Sequence, residues 1–256
     1  MGIANKMMYY QLKHTKDLYQ VERTRPFRLS RSKIELLIEC PQCFYLNCKL
    51  GIPRPDGPPF TLNLAVDELL KKEFDIHRAK NTRHPLMETH GVDAVPFQDS
   101  RIHTWRNARS AGITYLHEPT NFFVTGGVDD VWVNPQGELL IVDYKATAKK
   151  SEVGIDAEWQ KSYKRQMEVY QWLFRKNGFR VNNTAYFVYC NGDTDKEAFD
   201  GKLEFNIKII PYEGNDSWIE QALFDAQRYL EMEVLPQSAT GCEYCQYRSA
   251  VARVLP

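Results

Sequence analysis

The stretch Gly126-Gly127-Val128-Asp129-Asp130-Val131-Trp132-Val133-Asn134-Pro135-Gln136-Gly137-Glu138-Leu139-Leu140-Ile141-Val142-Asp143-Tyr144-Lys145 constrains this chain more than any other. Val128, Val131, Trp132 and Val133 precede an Asn-Pro-Gln-Gly turn, and Leu139 to Val142 then form a continuous apolar run. That pattern predicts two antiparallel strands joined as a hairpin. The polar exceptions carry the information. Asp129 stands near the start of the first strand, whereas Asp143 and Lys145 end the second, two residues apart and therefore on one face. An unpartnered charge at the end of a buried strand is costly, so this face needs something to hold. Carboxylate oxygens are hard ligands that suit magnesium or manganese, and an ammonium beside them can position a water and offset charge on a phosphate. A solvated hairpin with a Lys–Asp pair is the alternative without chemistry.

Composition sets the frame for that hairpin. With 256 residues, 43% hydrophobic and 12% aromatic, the chain can bury a sizeable core, and no internal repeat or linker divides it. One elaborated α/β domain over residues 1–256, a central mixed sheet flanked by helices, is therefore expected. Lys plus Arg and Asp plus Glu both number 33, so any affinity for nucleic acid must come from local patches rather than net charge. No apolar run approaches the roughly 20 residues that span a bilayer, and the polar start Met1 to Gln11 lacks the apolar region of a signal peptide. A soluble, cytoplasmic protein with no membrane partner is the expectation.

Residues 1–28 form a basic N-terminal arm with Lys13, Lys16, Arg23, Arg25 and Arg28, suited to solvent or to phosphates. Ser32-Lys-Ile-Glu35 fits a capping box, which predicts a helix burying Ile34, Leu37 and Ile38 until Pro41 interrupts it. The interruption falls inside Cys40-Pro41-Gln42-Cys43, and a second Cys-x-x-Cys pair, Cys242-Glu243-Tyr244-Cys245, lies near the other end. Four thiolates in two such pairs can converge on tetrahedral zinc or on a four-iron cluster, closing nearly the whole chain into a loop. Four free thiols are the alternative; Cys48 and Cys190 read as ordinary buried residues. After the Gly- and Pro-rich loop 51–59, Leu62, Ala65, Val66, Leu69, Leu70 and Phe74 recur at helical spacing, with Asp67 at the edge of that face. From 75 to 118 the pattern loosens around five scattered histidines without ligand spacing, suggesting a variable insert in which Arg101, Trp105, Arg106 and Arg109 contact a strand. Lys149 and Lys150 follow the hairpin as phosphate contacts. Trp159, Tyr163, Gln166, Tyr170 and Leu173 then repeat at helical spacing, and the amide of Gln166 interrupts that stripe and needs partners. Strands over 184–189 and 203–210 and a helix through Ile219, Leu223 and Leu230 complete the pattern.

Three segments in order, Gly-Val-Asp-Asp-Val, Ile-Val-Asp-Tyr-Lys and Gln166-Met-Glu-Val-Tyr170, resemble the RecB-type branch of the PD-(D/E)XK nuclease superfamily, as in CRISPR-associated and helicase-nuclease exonuclease domains. The resemblance implies a restriction-endonuclease-like core. It implies that Asp129, Asp143 and the Tyr144 carbonyl hold Mg2+ or Mn2+, that Lys145 assists the attacking water, and that Gln166 and Tyr170 face the site. Asp130 stands where the family often has Arg or another polar residue, and the Gly-x-Asp spacing favours Asp129 as the ligand. In Asn63-Leu-Ala-Val-Asp67, Asp67 takes the place of a family histidine, which makes it either a third ligand or a solvated acid. Cys40-Pro41-Gln42-Cys43-Phe44-Tyr45-Leu46 is similar to the family's Cys-Pro-x-x-Phe-x-Leu segment. In the branch with an iron–sulfur cluster that first cysteine joins three near the C-terminus; here Val251 stands at the place of the last, and Cys43 makes up the four. The implied function is a nuclease that hydrolyses DNA phosphodiesters by a metal-activated water, with a helicase or other repair or defence proteins as partners. A non-cleaving nucleic-acid-binding module of such a complex is the alternative.

Overall fold

The sheet that carries the Asp-x-Lys segment has five strands in the computed structural model, which describes residues 17–57, 61–108 and 112–254. In chain order the elements are β1 (Phe27–Ser30), α1 (Arg31–Glu39), α2 (Pro41–Cys48), α3 (Thr61–Lys80), α4 (Pro85–Thr89), β2 (Val95–Pro96), α5 (Ile102–Arg106), β3 (Ile113–His117) and β4 (Phe122–Gly126). They continue with β5 (Asp130–Val133), β6 (Leu139–Thr147), α6 (Lys161–Lys176), β7 (Thr184–Gly192), β8 (Phe205–Glu213), α7 (Ile219–Glu231) and α8 (Glu243–Val254). By contacts the chain forms two units: Met1–Gly57 with Glu118–Phe122 and Gln221–Pro256, and Pro58–His117 with Phe123–Glu220. None of the described helices is long and apolar enough to cross a membrane.

The second unit holds the five-stranded sheet, in the order β2-β5-β6-β7-β8. β5 and β6 form the expected antiparallel hairpin, with Asp130 opposite Val142 and Val133 opposite Leu139. Its turn closes because Glu138 N donates to Asn134 Oδ1 at 2.8 Å and Gly137 takes a φ of +74°, which glycine adopts without a Cβ clash. β6 then pairs in parallel with β7, Asp143 opposite Phe187, and a parallel pair needs a crossover, which α6 supplies. β7 and β8 are antiparallel, so the sheet is mixed, with helices against it. Alternation along β6 divides its side chains. Leu140, Val142 and Tyr144 join Leu70 and Phe74 of α3, Trp132 and Val188 in one core, which leaves Asp143 and Lys145 on the opposite face, toward α6.

Within 75–118 the structure turns two of the residues expected to contact a strand, Trp105 and Arg106, into the fold. α3 continues to Lys80, β2 pairs with β5 through Val95 and Val133, and Trp105 is buried edge-on against Phe174 and Phe179 at 4.9 and 5.6 Å. Loose periodicity there reflects several short elements. Arg101 is committed to Asp99 and the Trp105 ring, and Arg109 lies outside the described residues.

In the first unit α1 starts two residues earlier than its capping box suggests: Ser30, not Ser32, accepts from Lys33 N at 3.4 Å. Ile34 and Leu37 are buried as expected, but Ile38 is exposed. Pro41 breaks the helix by holding Cys40 extended, at φ −164° and ψ 108°, and then occupies the first turn of α2, where its missing N–H costs nothing. Gln42 Nε2 donates to Pro236 O and Tyr45 OH to Met232 O, both at 3.1 Å, tying α2 to the chain that follows α7. Of the basic arm, Lys13 and Lys16 lie outside the described residues. Arg23 is structural rather than phosphate-directed: its guanidinium sits 4.1 Å over Tyr19 and donates to the carbonyls of Thr120 and Asn121.

Candidate functional site

The first candidate site lies in the second unit, where α3, the turn before β5, the end of β6 and α6 each contribute one polar group. Asp143 is fully buried. Gln166 Nε2 donates to its Oδ1 at 2.6 Å and lies 3.2 Å from Tyr170 OH, while its Oδ2 meets the Lys145 ammonium as an ion pair. The interrupting amide of the α6 stripe thus has its partners at the Asp-x-Lys. Gly126 allows this packing, because a Cβ there would lie 2.7 Å from the Tyr170 ring. Asp129 Oδ2 accepts from Tyr144 N at 2.9 Å, one residue past Asp143. From α3, Lys71 Nζ lies 2.5 Å from Asp67 Oδ2 and 3.6 Å from Asp129 Oδ1.

Asp129 thus neighbours both Asp143 and, across Lys71, Asp67, and the ionisation of those two acids records its charge. Burial, reinforced by the Asp129 charge, pushes Asp143 up to about 7, against the pull of Lys145. Asp67 is raised by burial and then by Asp129, although Lys71 opposes this; its Oδ1 is buried with no hydrogen-bond partner among the described residues. For Lys145 burial works against the charged form, but the Asp143 and Asp129 carboxylates outweigh it and hold the ammonium.

Asp130, the neighbouring acid, has a different task. It is fully buried, its Oδ1 takes ion pairs from Arg78 and Arg106, and its Oδ2 accepts from Tyr144 OH at 2.7 Å. Arg106 also donates to Asp129 O at 2.9 Å and to Asp75 Oδ2 at 2.7 Å. With its donors spent inside the fold, Arg106 is corrected from a strand contact to a brace for the Asp129 backbone, as Trp105 is corrected to core. A buried charge of this kind needs full pairing, which Asp130 has. Lys149 is half-buried and Lys150 exposed just beyond β6. The sequence does not single out Lys71, Arg78 or the pairing of Asp130 with Arg106; the i, i+4 spacing of Asp67 and Lys71 is a readable signal, whereas the Arg78–Asp130–Arg106 brace joins distant segments and has none.

The second candidate site lies in the first unit. Sγ atoms of Cys40, Cys43, Cys242 and Cys245 all lie within 4.8 Å of one another. Cys40–Cys245 is 3.7 Å, and Cys43 is 3.6 Å from both Cys242 and Cys245. N–H donors surround them: Ala239 N on Cys40 at 3.4 Å, Arg248 on Cys245 at 3.0 Å and Cys43 at 3.6 Å, and Arg54 on Cys242 at 3.8 Å. Burial raises the Cys40 thiol, yet the donors from Ala239 and Cys43 outweigh it and bring it to about 7. Burial raises the Cys43 thiol and pushes Cys245 up to about 12 despite Arg248, so the four clustered sulfurs form a site able to bind a metal that must displace thiol protons as it binds.

A mixed sheet with an Asp-x-Lys strand end, an acid at the preceding turn and a glutamine helix behind it defines a nuclease-type core. A family model described as the PD-(D/E)XK nuclease superfamily matches residues 63–250, and the chain belongs to that superfamily. Among solved structures, the crystal structure of SSO0001 is similar at 13% identity, with 93% of this chain and 90% of that one covered and a TM-score of 0.40. No curated protein matches the chain.

Proposed function

We propose that the chain is a divalent-metal-dependent nuclease of the RecB type that hydrolyses phosphodiester bonds of DNA. The observation that carries this reading is the buried Asp143, pushed up to about 7 by burial and by Asp129 and ion-paired to Lys145, with Asp67 raised by the same Asp129 from the α3 side. Like charges gathered in a buried place raise one another unless a cation joins them, and the Asp67 oxygen without a partner is one such coordination position. The donor set, all hard oxygen, fits Mg2+ or Mn2+. Asp129, Asp143, Asp67 and the Tyr144 carbonyl would hold it, and when bound it supplies Lewis-acid polarisation of the phosphate.

The remaining chemistry belongs to the chain. Lys145, kept charged, orients a water by donating to its oxygen and offsets negative charge as the phosphorus gains a fifth oxygen. Gln166 fixes the Asp143 rotamer so that one carboxylate oxygen stays turned to Lys145. Lys149 and Lys150 take the flanking phosphates. The test is cleavage of end-labelled DNA with magnesium or manganese by the parent, Asp143→Ala and Lys145→Ala proteins. Cleavage is expected only in the parent. Cutting that persists in both variants overturns the assignment, and metal-independent binding without any cutting favours a non-cleaving module of a repair or defence complex.

For the cysteines we propose a single zinc rather than a four-iron cluster. A tetrahedral zinc with bonds of about 2.3 Å sets its sulfurs about 3.8 Å apart, close to the observed 3.6 and 3.7 Å. A four-iron cluster puts each thiolate on its own iron corner and spreads them further. A colourless protein with one zinc per chain is expected, and a brown one with iron and sulfide overturns this.

A further inference from the structure

Between β6 and α6 the second unit presents an aromatic surface that phosphodiester hydrolysis as described does not use. Trp159 is 53% exposed, whereas Trp105, Trp132 and Trp172 are buried and Trp218 is half-buried with its N–H on Glu168. The turn that carries it, Glu158–Gln160, is anchored. The next residue, Gln160, is buried, donates to Gly154 O at 2.6 Å and Tyr189 OH at 3.0 Å, and accepts from Ala157 N at 3.0 Å. Val153 and Ile155 are buried just before it. A large ring left half in water by so fixed a turn contributes less to folding than the same ring would if buried.

Its surroundings are cationic and aromatic. Lys149 Nζ lies 4.8 Å over the Trp159 ring, and the Lys149 backbone is clamped by Asn191, which accepts from its N–H at 2.8 Å and donates to its carbonyl at 2.9 Å. Tyr163 stands edge-on to Trp159 at 5.4 Å, and the Lys145 ammonium sits 4.4 Å over the Tyr163 ring. A row of rings thus leads from Trp159 to the Asp-x-Lys. The acids nearby are spent on other lysines: Glu158 on Lys161, Asp156 on Lys164 and Glu152 on Lys208.

We propose that Trp159, with Lys149 and Tyr163, is a stacking site for an unpaired base of a single strand whose backbone runs on to Lys145. The direction of that path rests on the nuclease reading; the stacking does not. An exposed indole offers a π-face to any base, a neighbouring ammonium neutralises the adjoining phosphate, and a base locked inside a duplex cannot reach the ring.

The test uses the full chain carrying Asp143→Asn, in chelator, so that binding is read without cleavage. Oligo-dT and oligo-U are expected to quench tryptophan fluorescence, and a blunt duplex of equal length to leave it unchanged. Adding Trp159→Leu should remove the quench and weaken single-strand binding by about 5- to 100-fold, while Trp159→Phe retains most of the affinity. Circular dichroism of the Leu variant checks its fold. Quenching by either single strand supports the site. Equal quenching by duplex, or single-strand affinity unchanged in a folded Trp159→Leu protein, overturns it. An inactive parent that still shows the quench sinks the nuclease reading alone.

Discussion

The cysteine centre and the carboxylate centre are opposite solutions to the problem of holding negative ligands together. Around the four sulfurs, every thiol is met by a nitrogen donor, from Ala239, Arg54 or Arg248. At the carboxylates Gln166, Lys145, Lys71 and the Tyr144 N–H also donate, yet burial and the Asp129 charge leave Asp143 near 7. Each sulfur of the first site thus has a donor, whereas the second keeps an acid oxygen, Asp67 Oδ1, without a partner among the described residues. A closed thiolate set suits an ion that only staples the fold, and an open oxygen set suits one that must also touch a substrate.

The largest expected effect that tests this contrast is on stability. Cys43 and Cys242 are 199 residues apart, so an ion joining them removes on the order of 5 kcal/mol of loop entropy from the unfolded chain. Cys43→Ser, or removal of the ion by a strong chelator, is expected to lower the denaturant midpoint by most of that amount. The carboxylates should respond in the other direction. Asp143 has its folded pKa raised above the unfolded value of about 3.9, so it binds its proton more tightly in the folded state. The metal-free protein then loses stability as pH rises from about 4 to about 7. Asp143→Asn removes that loss, and its thermal midpoint in chelator at pH 8 should exceed the parent's by several degrees, even as cleavage falls about 10³-fold. If Asp143→Asn melts lower than the parent, the acid is a structural group like Asp130 and the contrast collapses.

Local patterns were legible in the sequence and long-range pairings were not. The hairpin, the Asp-x-Lys face and the Gln166 interruption each depend on spacing within about twenty residues, and periodicity reports such spacing directly. The two Cys-x-x-Cys pairs were readable as a set because thiol pairs at that spacing are uncommon. What the residues 75–118 do was hidden, since Arg78 and Arg106 find Asp130 only once β5 is folded between them. Trp105 and Trp159 show the same limit. Trp105 sits among arginines and Trp159 at the head of an apolar stripe in the sequence, and only packing puts Trp105 inside against Phe174 and leaves Trp159 outside under Lys149.

The smallest effect concerns Lys71 and divides the two centres most finely. Its ammonium stands 2.5 Å from Asp67 and 3.6 Å from Asp129, and burial fails to neutralise it because those acids hold its proton. At the cysteines, cationic groups approach the sulfurs from outside and would remain beside a bound ion. Lys71 instead spans two of the acids that a divalent ion needs, so ion and ammonium compete for the same oxygens. Releasing a partly buried ion pair costs roughly 1 kcal/mol, so Lys71→Met, which keeps the apolar stem, should tighten manganese binding several-fold by calorimetry. In the same variant the chelator-treated protein should melt slightly lower, because Asp67 and Asp129 then repel without relief. Weaker manganese binding in Lys71→Met would mean that the ammonium assembles the acids for the ion, and the carboxylate centre would be as preorganised as the thiolate one.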